Sequence, residues 1–261
     1  MRGPVIVGVD GSPSSLAAVE AAAREAERLG TGLRLTHALT WPSTSAPIPP
    51  GVPPWDQDGA ATRARLTGPL TDAGRRARGI APRVAVMQDV LIGDPATVLA
   101  SQSRTASLTV VGSRPAAGAG GRLRTSVAGR LTARGRCPLL VIRGRSDPDG
   151  PVVLGDDTSR EAAEFAFSEA ARRGTDLVVL RPRTRTARPL SALGRKYPAV
   201  VVHHRRTSSR MGRALVEASG AAQLVVIGAR HKITDTLRVS AARTLVDHAH
   251  CPVAVVPPRK A

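Results

Sequence analysis

The residues best suited to bind a ligand follow two apolar runs of the chain. Asp10 closes the run PVIVGVD and is followed by Gly11, while Gly112 and Ser113 close the run SLTVVGS. A carboxylate can accept hydrogen bonds from ribose hydroxyl groups, and the backbone amides of a glycine-rich loop can bind an anion such as phosphate. These residue types therefore indicate a site for a ligand that carries both groups.

A loop that leads into a predicted helix supplies the second part of this candidate site. The segment PAAGAGGRLRTSV begins at Pro115 and brings Thr125 and Ser126 to the start of the helix. Amides at a helix N-terminus carry a partial positive charge and favour anions. The alternative interpretation is that the loop is rich in glycine only because the chain turns there.

The elements that must position these residues occur twice, because the chain is a tandem repeat. Two motifs recur in the same order, namely LTVVGSR at 108–114 with CPLLVIR at 137–143, and LVVIGAR at 224–230 with CPVAVVP at 251–257. A length of 261 residues suits two domains with separate cores. We predict domains at 1–145 and 150–258, joined by the polar segment GRSDPDG.

Short apolar runs alternate with amphipathic segments in both copies. The predicted strands are 4–10, 32–39, 83–89, 107–113 and 138–143, then 151–155, 176–180, 198–204, 223–228 and 252–256. The predicted helices are 15–29, 61–78, 94–104, 125–135, 159–173 and 209–219. This alternation implies an α/β fold with a parallel, doubly wound sheet in each copy. Ligands bind such sheets beyond the carboxyl ends of the strands, where Asp10 and Gly112 lie.

Other groups that could do chemistry have simpler structural interpretations. His248, His250 and Cys251 are metal-ligand types, but the matching stretch of the first copy, ARGRC, has no histidine, so no metal is predicted. His203 and His204 are neighbours in a strand and point to opposite faces. No nucleophile and base stand at a recognisable spacing, so we predict no catalytic residue and no enzyme.

The two cysteines, Cys137 and Cys251, occupy the same position of the repeat, each directly before a proline. They lack the CxxC spacing of a redox pair. We therefore interpret both as small buried apolar residues in a reducing compartment.

The charge of the chain is unusual, with 38 Lys and Arg against 20 Asp and Glu and a net charge of +18. A GC-rich genome accounts for the choice of Arg over Lys but not for the scarcity of acids. A nucleic-acid-associating protein is therefore an alternative function, which we do not favour. The run RPRTRTARP at 181–189 is either a solvated loop or a patch that contacts phosphate groups.

The sequence has no segment typical of a membrane or secreted protein. No apolar run approaches the ~20 residues that cross a bilayer, and MRGPVIVGVD enters a strand without a signal-peptide region. We expect a cytoplasmic protein that does not contact a membrane.

Several motifs together resemble those of the universal stress protein family. They are VIVGVDGSPSS, IGDPA at 92–96, and VVGSR followed by SVAGRL and CPLLVIR, and the resemblance covers essentially the whole chain in two copies. It implies a five-stranded parallel sheet in each copy, pairing through the last strands, and often an ATP site. It also implies a non-catalytic binding or regulatory module in the stress response. Its protein partner and any further homo-oligomer stay open, and an adenine-nucleotide hydrolase related by fold is a further alternative.

The phosphate motif of that family is only partly kept in the first copy. Its first glycine is Gly112, its second falls on Pro115, its third falls on Thr125, and its final hydroxyl residue is Ser126. Proline has no N–H to offer a phosphate, so binding of ATP or AMP is expected to be weak. The resemblance assigns nucleotide contacts to Asp10, Gly11, Gly112, Ser113, Thr125 and Ser126.

The second copy is predicted to have a degenerate site. Counting back from the shared Gly30 and Gly174 places Asp10 on Leu154. The loop after Gly228 is two residues shorter than its counterpart, and its sequence ARHKITDTLRVSAA has no glycine. We therefore expect nucleotide only in the N-terminal domain.

Overall fold

A computed structural model describes residues 3–39, 59–113, 126–145, 149–155, 159–184, 190–229 and 236–258. The chain forms two compact units, Met1–Gly112 and Ser113–Ala261. No helix among these described residues combines the length and apolar character that a bilayer span requires.

The first unit is a parallel sheet with helices between its strands. Its strands are β1 (Val5–Gly8), β2 (Leu33–Leu39), β3 (Val86–Ile92) and β4 (Leu108–Gly112), in the order β3-β2-β1-β4. Its helices are α1 (Pro13–Leu29), α2 (Gly59–Ile80) and α3 (Pro95–Gln102). The central strand β1 is fully buried from Val5 to Val7, as expected for a strand covered on both faces.

The ends of α1 follow directly from its sequence. The Ser12 hydroxyl accepts a hydrogen bond from the Ser15 N–H, and Pro13 takes the first helical position, where no N–H is required. The helix ends at Gly30, which adopts the left-handed conformation with φ 61°. The Ser12 cap and Pro13 fix where α1 begins, which is at the predicted ligand edge.

The second unit is a six-stranded sheet. Its strands are β5 (Leu139–Ile142), β6 (Val152–Gly155), β7 (Leu177–Pro182), β8 (Val202–Thr207), β9 (Leu224–Gly228) and β10 (Val253–Val256), in the order β5-β10-β9-β6-β7-β8. Its helices are α4 (Val127–Arg134), α5 (Arg160–Arg173), α6 (Ser191–Lys196), α7 (Met211–Ser219) and α8 (Thr236–His248). Every neighbouring pair is parallel except β5 and β10. The predicted α/β class with parallel sheets is confirmed.

The terminal strands of the two sequence copies, β5 and β10, pair antiparallel. Val141 stands opposite Val253, and both side chains are fully buried. The expected pairing through the last strands is therefore present within the second unit. Because β5 of the first sequence copy pairs with β10, it belongs to the second compact unit. The two compact units therefore do not coincide with the two sequence copies, and the domains 1–145 and 150–258 stay a prediction.

Two arginines that follow β5 form hydrogen bonds with the second sequence copy. The Arg143 guanidinium donates hydrogen bonds to the carbonyl oxygens of Leu245 and Val246 near the C-terminus of α8, where a cation is favourable. Burial lowers the pKa of Arg143. The Arg145 side chain donates to the carbonyl oxygen of Ala222 at 3.1 Å.

Two strand predictions were displaced in the same direction. Residues 83–89 and 198–204 were predicted as strands, but β3 and β8 begin three and four residues later. Val84 and Val200 made the earlier positions look strand-like, yet each lies in a turn, where its N–H donates to Ala81 or Tyr197. Strands β3 and β8 are edge strands and are largely exposed, so their sequences are less apolar than those of the buried strands. Helices α6 and α8 were not predicted.

Both cysteine side chains are buried, as predicted, and the two do not form a disulfide with each other. Burial raises the pKa of the Cys251 thiol to about 12, so this thiol is neutral near pH 7.

Candidate functional site

The first unit brings Asp10, Gly11 and Gly112 to the carboxyl ends of β1 and β4. One carboxylate oxygen of Asp10, Oδ1, accepts hydrogen bonds from the Ser12 backbone N–H at 3.0 Å and from the Ser12 hydroxyl at 2.5 Å. The Ser12 hydroxyl lies 3.1 Å from that of Ser14. Asp10 is exposed, so a carboxylate held by the start of α1 faces solvent at this edge.

Gly11 is required by the backbone at this turn. Its φ is +79°, a conformation that side-chain-bearing residues rarely adopt. A Cβ atom there would lie 3.5 Å from the Pro69 side chain, which is an ordinary contact. The constraint on Gly11 is therefore conformational rather than a lack of space.

Gly112 is required by packing. A Cβ atom on Gly112 would lie 2.3 Å from the carbonyl oxygen of Ser14, because the end of β4 touches the first turn of α1. The second copy has a similar close approach at a neighbouring position, since a Cβ atom on Gly228 would lie 2.6 Å from the Cβ of Ser159, the N-cap of α5. A glycine at this position therefore keeps strand and helix together whether or not a ligand binds.

The remaining predicted residues belong to the second unit. The Ser113 N–H donates to the Ile142 carbonyl oxygen at 2.9 Å. Ser126 is the N-cap of α4, and its hydroxyl accepts the Gly129 N–H at 3.0 Å. The first turn of α4 thus begins at the hydroxyl residue that the phosphate motif predicts. Thr125 and Pro115 lie outside the described residues.

The strand register corrects the alignment of the second copy. Val5 pairs with Leu33 and Leu108, and Val152 pairs with their repeat equivalents Leu177 and Leu224. Val5 and Val152 are therefore equivalent, which is a shift of 147 positions.

By this register Asp10 corresponds to Asp157, and the prediction that it falls on Leu154 was wrong. Helix α5 has 14 residues against 17 in α1, and counting back from Gly174 overlooks that difference. Leu154 is a fully buried residue of β6. Ser12 and Ser159, the N-caps of α1 and α5, would have been the better anchors. Asp157 itself lies outside the described residues.

The two copies differ where the phosphate motif ends. Ser126 stands eleven residues before Cys137, and Ser240 stands eleven residues before Cys251. Helix α8 begins at Thr236, so Ser240 lies inside it. Backbone N–H groups are available to an anion only in the first turn of a helix. The position equivalent to the α4 N-terminus is therefore closed in the second copy.

The adjacent histidines of β8, His203 and His204, each have a partner of their own. His203 Nε2 lies 2.8 Å from Asp176 Oδ2, and His204 Nδ1 lies 2.8 Å from the Arg181 guanidinium. The neighbours are thus partnered separately. In the part of the chain that the structure describes, no three His, Cys, Asp or Glu side chains gather as metal ligands would.

Comparison with known proteins identifies relatives along the whole chain. The profile of the universal stress protein family matches residues 1–143 and 181–257. Universal stress protein Rv2623 of Mycobacterium tuberculosis is 31% identical over an alignment of 287 positions, which covers 96% of this chain and 95% of the relative. Rv1996 of the same organism is 32% identical over 298 residues, covering 96% and 94%. The crystal structure of a universal stress protein from Archaeoglobus fulgidus superposes with a TM-score of 0.77 at 15% identity, covering 98% and 96% of the two chains.

Proposed function

The chain belongs to the universal stress protein family, and we propose that it is a non-catalytic binding module whose N-terminal copy holds ATP or AMP weakly. The observation that carries the proposal is the difference between the two helix starts. Helix α4 begins at Ser126, whereas the equivalent Ser240 lies inside α8. Only the N-terminal copy offers the amides of a helix N-terminus at the end of the phosphate motif.

Each predicted residue is given a role in this proposal. The exposed carboxylate of Asp10 is fixed by Ser12 and would accept hydrogen bonds from the ribose. Gly11 and Gly112 allow the backbone close to the ligand. Ser113, Thr125 and Ser126 would contact phosphate through amide or hydroxyl groups, as the family motif implies.

The module is proposed to bind nucleotide without hydrolysing it, because no nucleophile and base have been identified among these residues. It would act in the cytoplasm through a protein partner of unknown identity. The alternative of a hydrolase requires ATP turnover above a protein-free blank that is lost in Ser126→Ala.

Calorimetry with ATP tests the proposal on the full chain. We expect one site per chain in the wild type, weakened by Asp10→Ala and by Ser126→Ala. The double variant Pro115→Gly with Thr125→Gly restores the family motif and should tighten binding by about 1–3 kcal/mol if phosphate-to-amide hydrogen bonds return.

Two variants of the second copy serve as matched controls. Asp157→Ala and Ser240→Ala change the residues equivalent to Asp10 and Ser126, and both should leave binding unchanged. Two sites per chain, or weaker binding in either control, would place nucleotide in the second copy. No binding by the wild type or by the motif-restored variant would refute the proposal.

A further inference from the structure

The positive charge of the chain is concentrated in one stretch of the second copy. Residues 177–216 contain ten Arg and Lys and no Asp or Glu. The equivalent stretch of the first copy, 33–100, contains seven basic and five acidic residues. Residues 177–216 of the second copy thus contribute +10 of the net charge of +18, whereas residues 33–100 of the first copy contribute only +2. A bias in genome composition would act on both copies, so it does not explain this difference.

The strand register shows where the copies diverge. Leu33 pairs with Val86 in the first unit, and its equivalent Leu177 pairs with Val202 in the second. Strand β3 therefore corresponds residue by residue to β8. By this match Asp89 becomes Arg205, and Val90 becomes Arg206.

Four arginines form an exposed group at this side of the second unit, which we call the basic edge. They are Arg183, Arg205, Arg206 and Arg210. β8 is the last strand in the order, so its two arginines border the sheet and point to opposite faces. The Arg183 N–H donates to the Thr207 carbonyl oxygen at 3.0 Å, which places Arg183 beside the end of β8.

These guanidinium groups are available to an external anion. Within the described residues, no salt bridge joins any of the four to a carboxylate. The nearby acids have other partners, because Asp176 is bound to His203 and Glu217 to Arg213. Charged side chains do protect an exposed strand from aggregation, but that purpose does not require four positive charges with no acid among them.

We propose that the basic edge binds the phosphate backbone of nucleic acid, independently of base sequence. Arginine offers planar paired donors that match phosphate oxygens. The alternative polyanion is an anionic membrane surface, where stable attachment also needs buried apolar area. Val201 is the one large apolar side chain exposed in the described part of the second unit. None of these four arginines is among the residues proposed to hold nucleotide.

Fluorescence anisotropy with a labelled DNA duplex at low salt tests the proposal on the full chain. We expect binding that weakens steeply with salt and does not depend on base sequence. Changing all four arginines of the basic edge to Gln should weaken binding about tenfold or more. If every one of these side chains contacts a phosphate, the plot of log K against log salt should become less steep, and the magnitude of its negative slope should decrease by about 3 to 4 units.

A charge-matched control separates local from global electrostatics. Arg78→Gln, Arg83→Gln, Arg104→Gln and Arg75→Gln remove four exposed arginines from the first unit and should change affinity less than about threefold. An equal loss in both variants, or no binding by the wild type, would overturn the proposal. Binding to vesicles rich in anionic lipid without binding to DNA or RNA would also overturn it.

Discussion

The start of α4 and the interior of α8 contain equivalent serines in two different backbone settings. Ser126 caps its helix, while Ser240 has more than one turn of helix before it. The strand-end glycines Gly112 and Gly228 nevertheless each lie against the start of the first helix of their copy, Gly112 against Ser14 of α1 and Gly228 against Ser159, the N-cap of α5. The difference teaches that the repeat keeps its packing framework separately from its ligand-binding features.

Other contacts show how closely that framework is shared. The Gly3 carbonyl accepts the Thr31 hydroxyl at 3.0 Å, and the Gly150 carbonyl accepts the Thr175 hydroxyl at the same distance. These contacts join the entry of the first strand to the segment before the second in each copy. Variants of shared positions should therefore behave alike, and variants of differing positions should not.

The largest effect is expected where both copies contribute equally to one buried pair. Val141→Lys with Val253→Lys places two ammonium groups in the β5–β10 pair, where both valines are fully buried. The free energy of unfolding in urea should fall by at least about 4 kcal/mol. Val90→Lys, at a position of β3 that is 41% exposed, should change it by less than about 0.5 kcal/mol. Similar stability of the two variants would contradict the pairing.

The strand-end glycines should respond alike if their role is packing. Gly112→Ala and Gly228→Ala should each lower the free energy of unfolding by about 1–3 kcal/mol, because the added Cβ overlaps with α1 or α5. Gly79→Ala in α2, where a Cβ meets nothing, should be neutral or stabilising by up to about 1 kcal/mol. An effect confined to nucleotide binding in Gly112→Ala would show that this glycine serves the ligand alone.

The Cys251 thiol should make stability depend on pH above neutrality. Its pKa is raised to about 12 in the folded state, while an unfolded cysteine loses its proton near 8.5. The stabilisation is complete below pH 8.5 and decreases between pH 8.5 and 12. From pH 8 to pH 10 the wild type should lose about 2 kcal/mol more than Cys251→Ala does, measured by urea unfolding. Parallel pH profiles would show that the thiol is not held neutral.

The smallest expected effect tests the helix starts directly. Ser126→Ala removes the N-cap of α4 and should lower the free energy of unfolding by about 1 kcal/mol. Ser240→Ala lies within α8 and should be neutral or stabilising by up to about 0.5 kcal/mol, because alanine favours helix. Equal losses in the two variants would mean that α8 also begins at its serine.

Buried strands could be located from the sequence because their apolar runs admit one interpretation. Val5 to Val7 is enclosed on both faces and reads as a strand, and the cap at Ser12 and the glycine at Gly30 mark α1. The strands β3 and β8 were displaced because an exposed strand has a weak apolar pattern. Buried residues in the preceding turn, such as Val200, gave a stronger one.

The candidate site was only partly visible in the sequence. The apolar runs predicted that Asp10 and Gly112 follow strands, and the predicted helix 125–135 located the start of α4 to within two residues without identifying Ser126 as its cap. The contact of Gly112 with Ser14 could not be predicted, because the residues are distant in sequence and meet only through packing. The absence of glycine from the loop after Gly228 indicated a changed loop. Only the backbone structure shows that α8 begins at Thr236, four residues before Ser240.

The antiparallel pairing of β5 with β10 has a consequence for how this molecule can change. In a symmetric homodimer built on such a pair, every substitution appears on both sides of the interface at once. Here Val141 and Val253 are encoded separately in one chain, so each side can be altered and tested alone. A tandem chain is therefore free of the requirement that its interface be self-complementary. The same freedom lets one copy acquire a row of arginines while the other keeps a nearly neutral strand.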